Sequence, residues 1–215
     1  MCFSPEASLV ASAFLAIMSI ANFVKIKYQG LVSRKKMALL LVPVGFAVQQ
    51  LCEGLVWLSL LHNYSTLTLN IATYGFMFFA FIFWPAYIPW CMCYLETNEI
   101  RKDVLNGFSW IGSVLALILL LRLMYYGVVA QLANCHIMYN SGMADWSVIT
   151  IIMMVMYLLV TVGSLLVSSF PGMRKLGVLV GFAYLVAYLF YLNFLISVWC
   201  FFAAIISLVL YRFLN

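Results

Sequence analysis

The sequence predicts an all-α polytopic membrane protein, a bundle of seven transmembrane helices with the N-terminus outside and the C-terminus in the cytoplasm. The chain of 215 residues is 67% hydrophobic and 8% charged, too few charged side chains to cover a soluble domain. Its apolar runs are continuous and of helix length, unlike the alternating segments of a transmembrane barrel. The lysines and arginines, 11 in all, are segregated: all but Arg122 fall in loops on one side of these runs.

The apolar runs divide into seven spans, which form a single domain over residues 1–215. We predict the spans at residues 6–24, 37–61, 66–95, 104–129, 147–168, 177–191 and 194–211. The last two come from one apolar stretch of about 36 residues, which as a single helix would be about 54 Å long, nearly twice the hydrocarbon core. We therefore predict a tight reversal near Asn193, the most polar residue in the middle of that stretch.

The orientation follows from the loops. Basic residues follow the first, third, fifth and seventh spans, whereas the N-terminus and the loops after the second, fourth and sixth spans contain no Lys or Arg. The positive-inside rule places the basic loops in the cytoplasm. The net charge of +5 is explained by these loops. Because no basic domain lies outside the spans, we predict contact with the lipid bilayer and no nucleic-acid partner.

The third span contains two prolines, Pro85 and Pro89, in the segment from Trp84 to Trp90. Each proline removes a backbone donor and clashes with the preceding turn, which predicts a kink or a broken helix. This irregularity is either a proline kink packed by aromatic side chains or part of a gate or cavity wall.

Glu53 and Arg122 are the charged residues predicted at membrane depth. Counted from the cytoplasmic side, Glu53 lies about 22 Å and Arg122 about 25 Å along their helices, which places both in the outer third of the bilayer. An unpaired charge there costs a few kcal/mol, so we predict that the two form an ion pair. Gln49 and Gln50 share a helix face with Glu53, and Trp57 lies one turn further on. The pair either ties two helices together or lines an outward-opening pocket formed with Gln49, Gln50 and Trp57.

A second group of polar residues is predicted at the outer face. Thiolates, imidazoles and carboxylates are ligands for zinc or copper, but no CxxC, HxxxH or HExxH spacing is present. The group is therefore either a set of water-facing loop residues, a site of a Cys2–Cys135 disulfide, or a metal site. The candidate metal ligands are Cys2, Glu6, Glu53, His62, Cys135 and His136.

These residues leave several functions open. The first hypothesis is a membrane protein that binds copper or zinc through this outward-facing site. The second is a transporter of a small ion or solute, in which Glu53 titrates and the prolines of the third span let the helix flex. A structural or interaction protein is a further alternative. No nucleophile–base pair is recognisable, which favours a role other than catalysis, and the seventh span has no lysine for a retinal Schiff base.

Three motifs carry a family resemblance: the opening MCFSPEAS, then QQxxEGxxW at residues 49–57, and Trp84-Pro85. They resemble a bacterial family of small seven-span membrane proteins that begin with MCFS and contain a domain of unknown function. The resemblance implies the same architecture over the whole chain and a bacterial inner-membrane location. It implies no activity. The residues it marks as the family's signature are Cys2, Glu6, Gln50, Glu53, Trp57, Trp84 and Pro85.

Overall fold

Seven long apolar helices form the bundle. A computed structural model describes residues 4–133, 136–141 and 148–213. Within these residues the helices long and apolar enough to cross a membrane number seven, as predicted. In chain order they are spans 1 to 7: Pro5–Tyr28, Arg34–Leu61, Thr66–Leu95, Glu99–Tyr126, Val148–Val167, Met173–Phe190 and Leu192–Arg212.

Most predicted bounds lie within a few residues of the observed ones, and those of span 3 are the same. The helices begin where the sequence supplies a polar cap. The side chains of Ser4, Ser33, Ser65 and Asn98 accept hydrogen bonds from the first turns of spans 1 to 4, which satisfies backbone donors that have no partner within the helix. The predicted reversal is a 3-10 turn at Leu192–Phe194, which begins span 7.

Spans 3 and 5 are each interrupted by one π-helical turn. Span 3 consists of an α-helix at Thr66–Phe78, a π turn at Phe79–Phe83 and a second α-helix at Trp84–Leu95. Pro85 has no N–H group for the carbonyl of Phe81, four residues earlier, so the irregularity falls in the turn before the proline. Span 5 has its π turn at Leu159–Gly163, between α-helices at Val148–Leu158 and Ser164–Val167.

A β-hairpin follows span 4, where the sequence interpretation placed the end of a helix and a loop. Span 4 ends at Tyr126 and is capped by Gly127, which has a φ of 70°. Strands β1 (Val128–Ala133) and β2 (His136–Ser141) then pair antiparallel, with Val128 opposite Ser141. We call this end of the bundle the hairpin end, and the opposite end, which contains the Lys and Arg loops, the basic end.

Span 2 is the central helix of the bundle, since 67% of its most apolar window is buried, more than in any other span. It packs against spans 1, 3 and 7. Span 4 packs against span 3 instead, and a Cβ atom at Gly112 would overlap the carbonyl oxygen of Pro85. This close approach is possible because glycine has no side chain.

Glu96 joins two loops at the basic end. Its carboxylate accepts hydrogen bonds from the backbone N–H groups of Thr97, Asn98 and Ser169, at 2.9, 3.0 and 2.7 Å, and from the Ser169 hydroxyl. Burial raises the pKa of Glu96, but these hydrogen bonds outweigh burial and lower the pKa from 4.5 to about 2. An ionised carboxylate therefore holds the end of span 3 against the loop between spans 5 and 6.

Candidate functional site

Glu53 lies in the middle of the bundle and is 1% exposed. Gln49 and Gln50, one turn before it on the same face of span 2, are completely buried. Gln50 Nε2 donates a hydrogen bond of 3.1 Å to Glu53 Oε2. Gln50 Oε1 is buried and has no hydrogen-bond partner among the described residues. Polar side chains at this spacing turn one face of an apolar helix into a polar stripe at the core.

Three other spans contribute to this polar group. Ser197 of span 7 donates a hydrogen bond to Glu53 Oε1, and Ser8 of span 1 is buried beside the same carboxyl group. Trp84 of span 3 donates from its indole Nε1 to Gln49 Oε1 over 2.7 Å. Trp84 therefore contacts the same polar stripe of span 2 that contains Glu53.

Tyr139 of strand β2 approaches the site from the hairpin. Its ring stacks on Phe76, with centroids 4.6 Å apart and an interplanar angle of 6°. Its hydroxyl group is buried, has no hydrogen-bond partner among the described residues and interacts electrostatically with Glu53. A buried hydroxyl without a partner costs about 1–3 kcal/mol, so this position suits a ligand or a water molecule that supplies the missing bond.

A cavity of about 330 Å³ opens beside the site at the hairpin end. It is lined by Tyr139 and by Ser197, the residue that donates a hydrogen bond to Glu53. Its other described walls are formed by the hairpin and by spans 3 to 7. Polar residues among these walls are Asn140, Ser141, Thr150 and Asn193. The aromatic and sulfur-containing ones are Phe81, Met138, Met153, Met154, Tyr157, Tyr184, Phe194, Trp199 and Cys200. This volume is at the lower end of the range for small-molecule sites.

A second, apolar cavity of about 70 Å³ lies towards the basic end. Tyr157, Trp199 and Cys200 line both cavities and so form the partition between them. The rings of Tyr157 and Trp199 meet edge to face with centroids 5.7 Å apart. The Tyr157 hydroxyl donates to the carbonyl oxygen of Ala80 over 2.6 Å, within the π turn of span 3.

The predicted ion pair between Glu53 and Arg122 is not present among the described residues. Glu53 is held by Ser197 and Gln50, whereas the guanidinium of Arg122 lies 5.4 Å from the centre of the Tyr126 ring. Counting residues along a helix gives depth but no lateral position, and span 4 packs against span 3, not against span 2. Trp57, predicted as a pocket residue, is buried in the apolar core with Val56 and Phe76.

The candidate metal ligands that the structure describes have separate surroundings. Glu6 is exposed in the first turn of span 1, and exposed His62 stacks with Tyr64 just after span 2. His136, the first residue of strand β2, is buried and stacks on Phe194, with ring centroids 4.6 Å apart. Within the described ranges, no three His, Cys, Asp or Glu side chains form a group that could hold a metal ion. Cys2 and Cys135 lie outside the described residues.

The motifs did not point to Ser197, Tyr139 or the cavity. Ser197 had one available signal, since it is a lone hydroxyl residue in the apolar run from Leu195 to Cys200. Tyr139 had another, because Ile137, Tyr139 and Ser141 alternate with other residues in the manner of a strand with one buried face. The cavity itself depends on how five spans pack together, and local sequence patterns do not predict that packing.

The fold and the site together define a multi-pass membrane protein with a buried intramembrane carboxyl group beside a cavity. Residues 1–215 match the model of DUF6629, a family of unknown function, and the chain belongs to that family. No curated protein and no solved structure matches the chain.

Proposed function

We propose that the protein binds a small solute in the hairpin-end cavity and carries it across the membrane. The observation that carries the proposal is Glu53, a buried carboxyl group held by Ser197 and Gln50 beside a cavity of about 330 Å³. An ionised group at membrane depth is costly without a positive partner, and such groups commonly belong to ion or solute pathways. A proton or a cationic solute would supply that partner.

The route through the bundle follows the two cavities. Tyr157 and Trp199 separate them, and the π turns of spans 3 and 5 lie beside this partition. Single π turns are frequent at functional sites because they leave backbone groups available for other bonds. The hydrogen bond from Tyr157 to Ala80 crosses between the two spans. Breaking it would free Tyr157 to move, so we propose that this side chain is the gate between the cavities.

The proposed orientation places the hairpin end outside, in a bacterial inner membrane. It is supported by the positive-inside rule applied to the loops of the basic end. The solute would then enter the larger cavity from the exterior and meet Ser197 and Tyr139 before the partition.

A solute screen tests the proposal. Purified protein is heated in detergent with a panel of amines, amino acids, carboxylates and sugars, and each hit is then tested for uptake into proteoliposomes. At about 100 times its Kd a true ligand stabilises the folded state by about 2.7 kcal/mol. Met154→Trp, which places a large ring in the cavity without removing a hydrogen bond to Glu53, should lose this stabilisation. If no compound stabilises the wild type more than this variant, the proposal is wrong.

A second proposal is copper binding in the same cavity. Met138, Met153 and Met154 line it together with Cys200, and thioether and thiol sulfurs are soft ligands that favour Cu(I). Elemental analysis of protein purified without chelator measures this directly. We expect copper close to one ion per chain, reduced in Met153→Leu. Copper far below one ion per chain, after growth with added copper, would contradict it.

A further inference from the structure

We infer that the hairpin-end cavity is a site for a small organic ammonium ion, an amine with an apolar body. This inference rests on the proposed function and specifies its substrate class. The ammonium group would lie against Ser197 and Tyr139, in front of Glu53, and the apolar body would lie against the aromatic wall formed by Tyr157, Trp199 and Tyr184.

The sign of the ligand's charge follows from Glu53. None of the described residues that line the cavity is charged, and Glu53 lies directly behind one of them, Ser197. In a site of low dielectric constant a nearby carboxylate attracts a cation and repels an anion strongly. A bound ammonium would provide the counter-charge that the described contacts of Glu53 lack.

Two hydroxyl groups of the cavity wall can accept hydrogen bonds from a donating ligand. Ser197 uses its one hydroxyl hydrogen on Glu53, so its oxygen can only accept further bonds. Tyr139 has a buried hydroxyl with no described partner, and this oxygen can also accept. An ammonium group has donors and no acceptor, which matches these two oxygens. A carboxylate could accept a hydrogen bond from Tyr139 but not from Ser197, and Glu53 would repel its charge.

Three aromatic rings form a continuous wall of the cavity. Trp199 is in the middle and makes edge-to-face contacts with Tyr184, at 5.1 Å, and with Tyr157, at 5.7 Å. The hydroxyl of Tyr184 is buried without a hydrogen-bond partner among the described residues. Aromatic faces attract cations and cover the apolar part of an amine at the same time, which is the usual way proteins recognise organic ammonium ions.

The test compares three probes with the same apolar body: phenethylammonium, 2-phenylethanol and phenylacetate. Binding to the purified full-length protein is measured by calorimetry at neutral pH. We expect phenethylammonium to bind most tightly and to lose at least about tenfold in affinity in Glu53→Gln. The matched control is Glu99→Gln, which removes an 82% exposed carboxylate that lies 3.9 Å from Lys102 at the basic end. It should leave the affinity unchanged.

A second pair of variants keeps the inference testable if Glu53→Gln does not fold. Tyr184→Leu removes an aromatic face, whereas Tyr184→Phe keeps it, so we expect only the leucine variant to weaken phenethylammonium binding. Tighter binding of phenylacetate or 2-phenylethanol would overturn the ammonium inference and leave the solute-binding proposal standing. Failure of these probes and of the whole solute panel would overturn both.

Discussion

Span 4 contains two glycines, Gly107 and Gly112, at which the same substitution should have opposite effects. A Cβ atom added at Gly107 would have no atom within 4 Å apart from the neighbouring backbone of its own helix. Gly107→Ala should therefore stabilise the helix by about 0.5–1 kcal/mol, because alanine loses less backbone entropy than glycine. A Cβ atom at Gly112 would overlap the carbonyl oxygen of Pro85 and lie 3.2 Å from Pro89 Cγ. The obstructing atom is backbone and cannot rotate away.

Gly112→Ala should force spans 3 and 4 apart at the prolines. Overpacking of this kind costs about 1–3 kcal/mol and occasionally more, and the gain in helix propensity offsets only part of that. Because both variants gain the same helix propensity, their free energies of unfolding should differ by the overpacking cost alone, about 1–3 kcal/mol. Unfolding in detergent with increasing SDS, followed by tryptophan fluorescence, measures the difference. Equal effects at the two glycines would refute the close contact between spans 3 and 4.

Three further predictions concern charge. The folded-state pKa of Glu96 is lowered to about 2 from 4.5, so the stability it contributes is complete above about pH 4.5 and is lost as the pH falls towards 2. Glu96→Ala should lower the free energy of unfolding by about 2–3 kcal/mol at neutral pH and remove that part of its pH dependence. If the variant lost stability in acid in the same way as the wild type, Glu96 would not be the group that links the two loops. In a double-mutant cycle, the effects of Glu53→Gln and Arg122→Leu on the free energy of unfolding should be additive within about 0.5 kcal/mol. A larger coupling energy would support the ion pair that the sequence predicted. A reporter that is active only in the cytoplasm should be active when fused to the C-terminus. Activity of an exterior-specific reporter at the same position would show the opposite orientation.

The seven spans could be predicted because the requirements for crossing a membrane are visible in short stretches of sequence. A continuous apolar run must form a helix to satisfy its backbone, and its length fixes the crossing. This is why the bounds of span 3 and the reversal at Asn193 were predicted from the sequence. The two prolines of span 3 also predicted an irregular helix, which the structure shows one turn earlier, at the carbonyl groups that Pro85 affects.

The contacts of the site could not be predicted in the same way. The depth of Glu53 suggested Arg122 as its partner, but the lateral order of the helices brings Ser197 from span 7 to the carboxyl group instead. The hairpin was missed because its strands are short and lie beside an apolar helix, where their alternation is easily taken for the end of the span. Tyr139, which the hairpin brings towards Glu53, was missed with it.

If the cavity is the solute site, the protonation of Glu53 should respond to the solute bound there. Infrared difference spectroscopy on the protein in membranes measures this directly, with the solute identified by the screen added and then washed out. The carboxyl band of Glu53 is the one that disappears in Glu53→Gln and persists in Glu99→Gln. We predict that solute binding converts this band between its protonated and ionised forms. A band that stays unchanged while the solute is bound would contradict a role for Glu53 in solute binding.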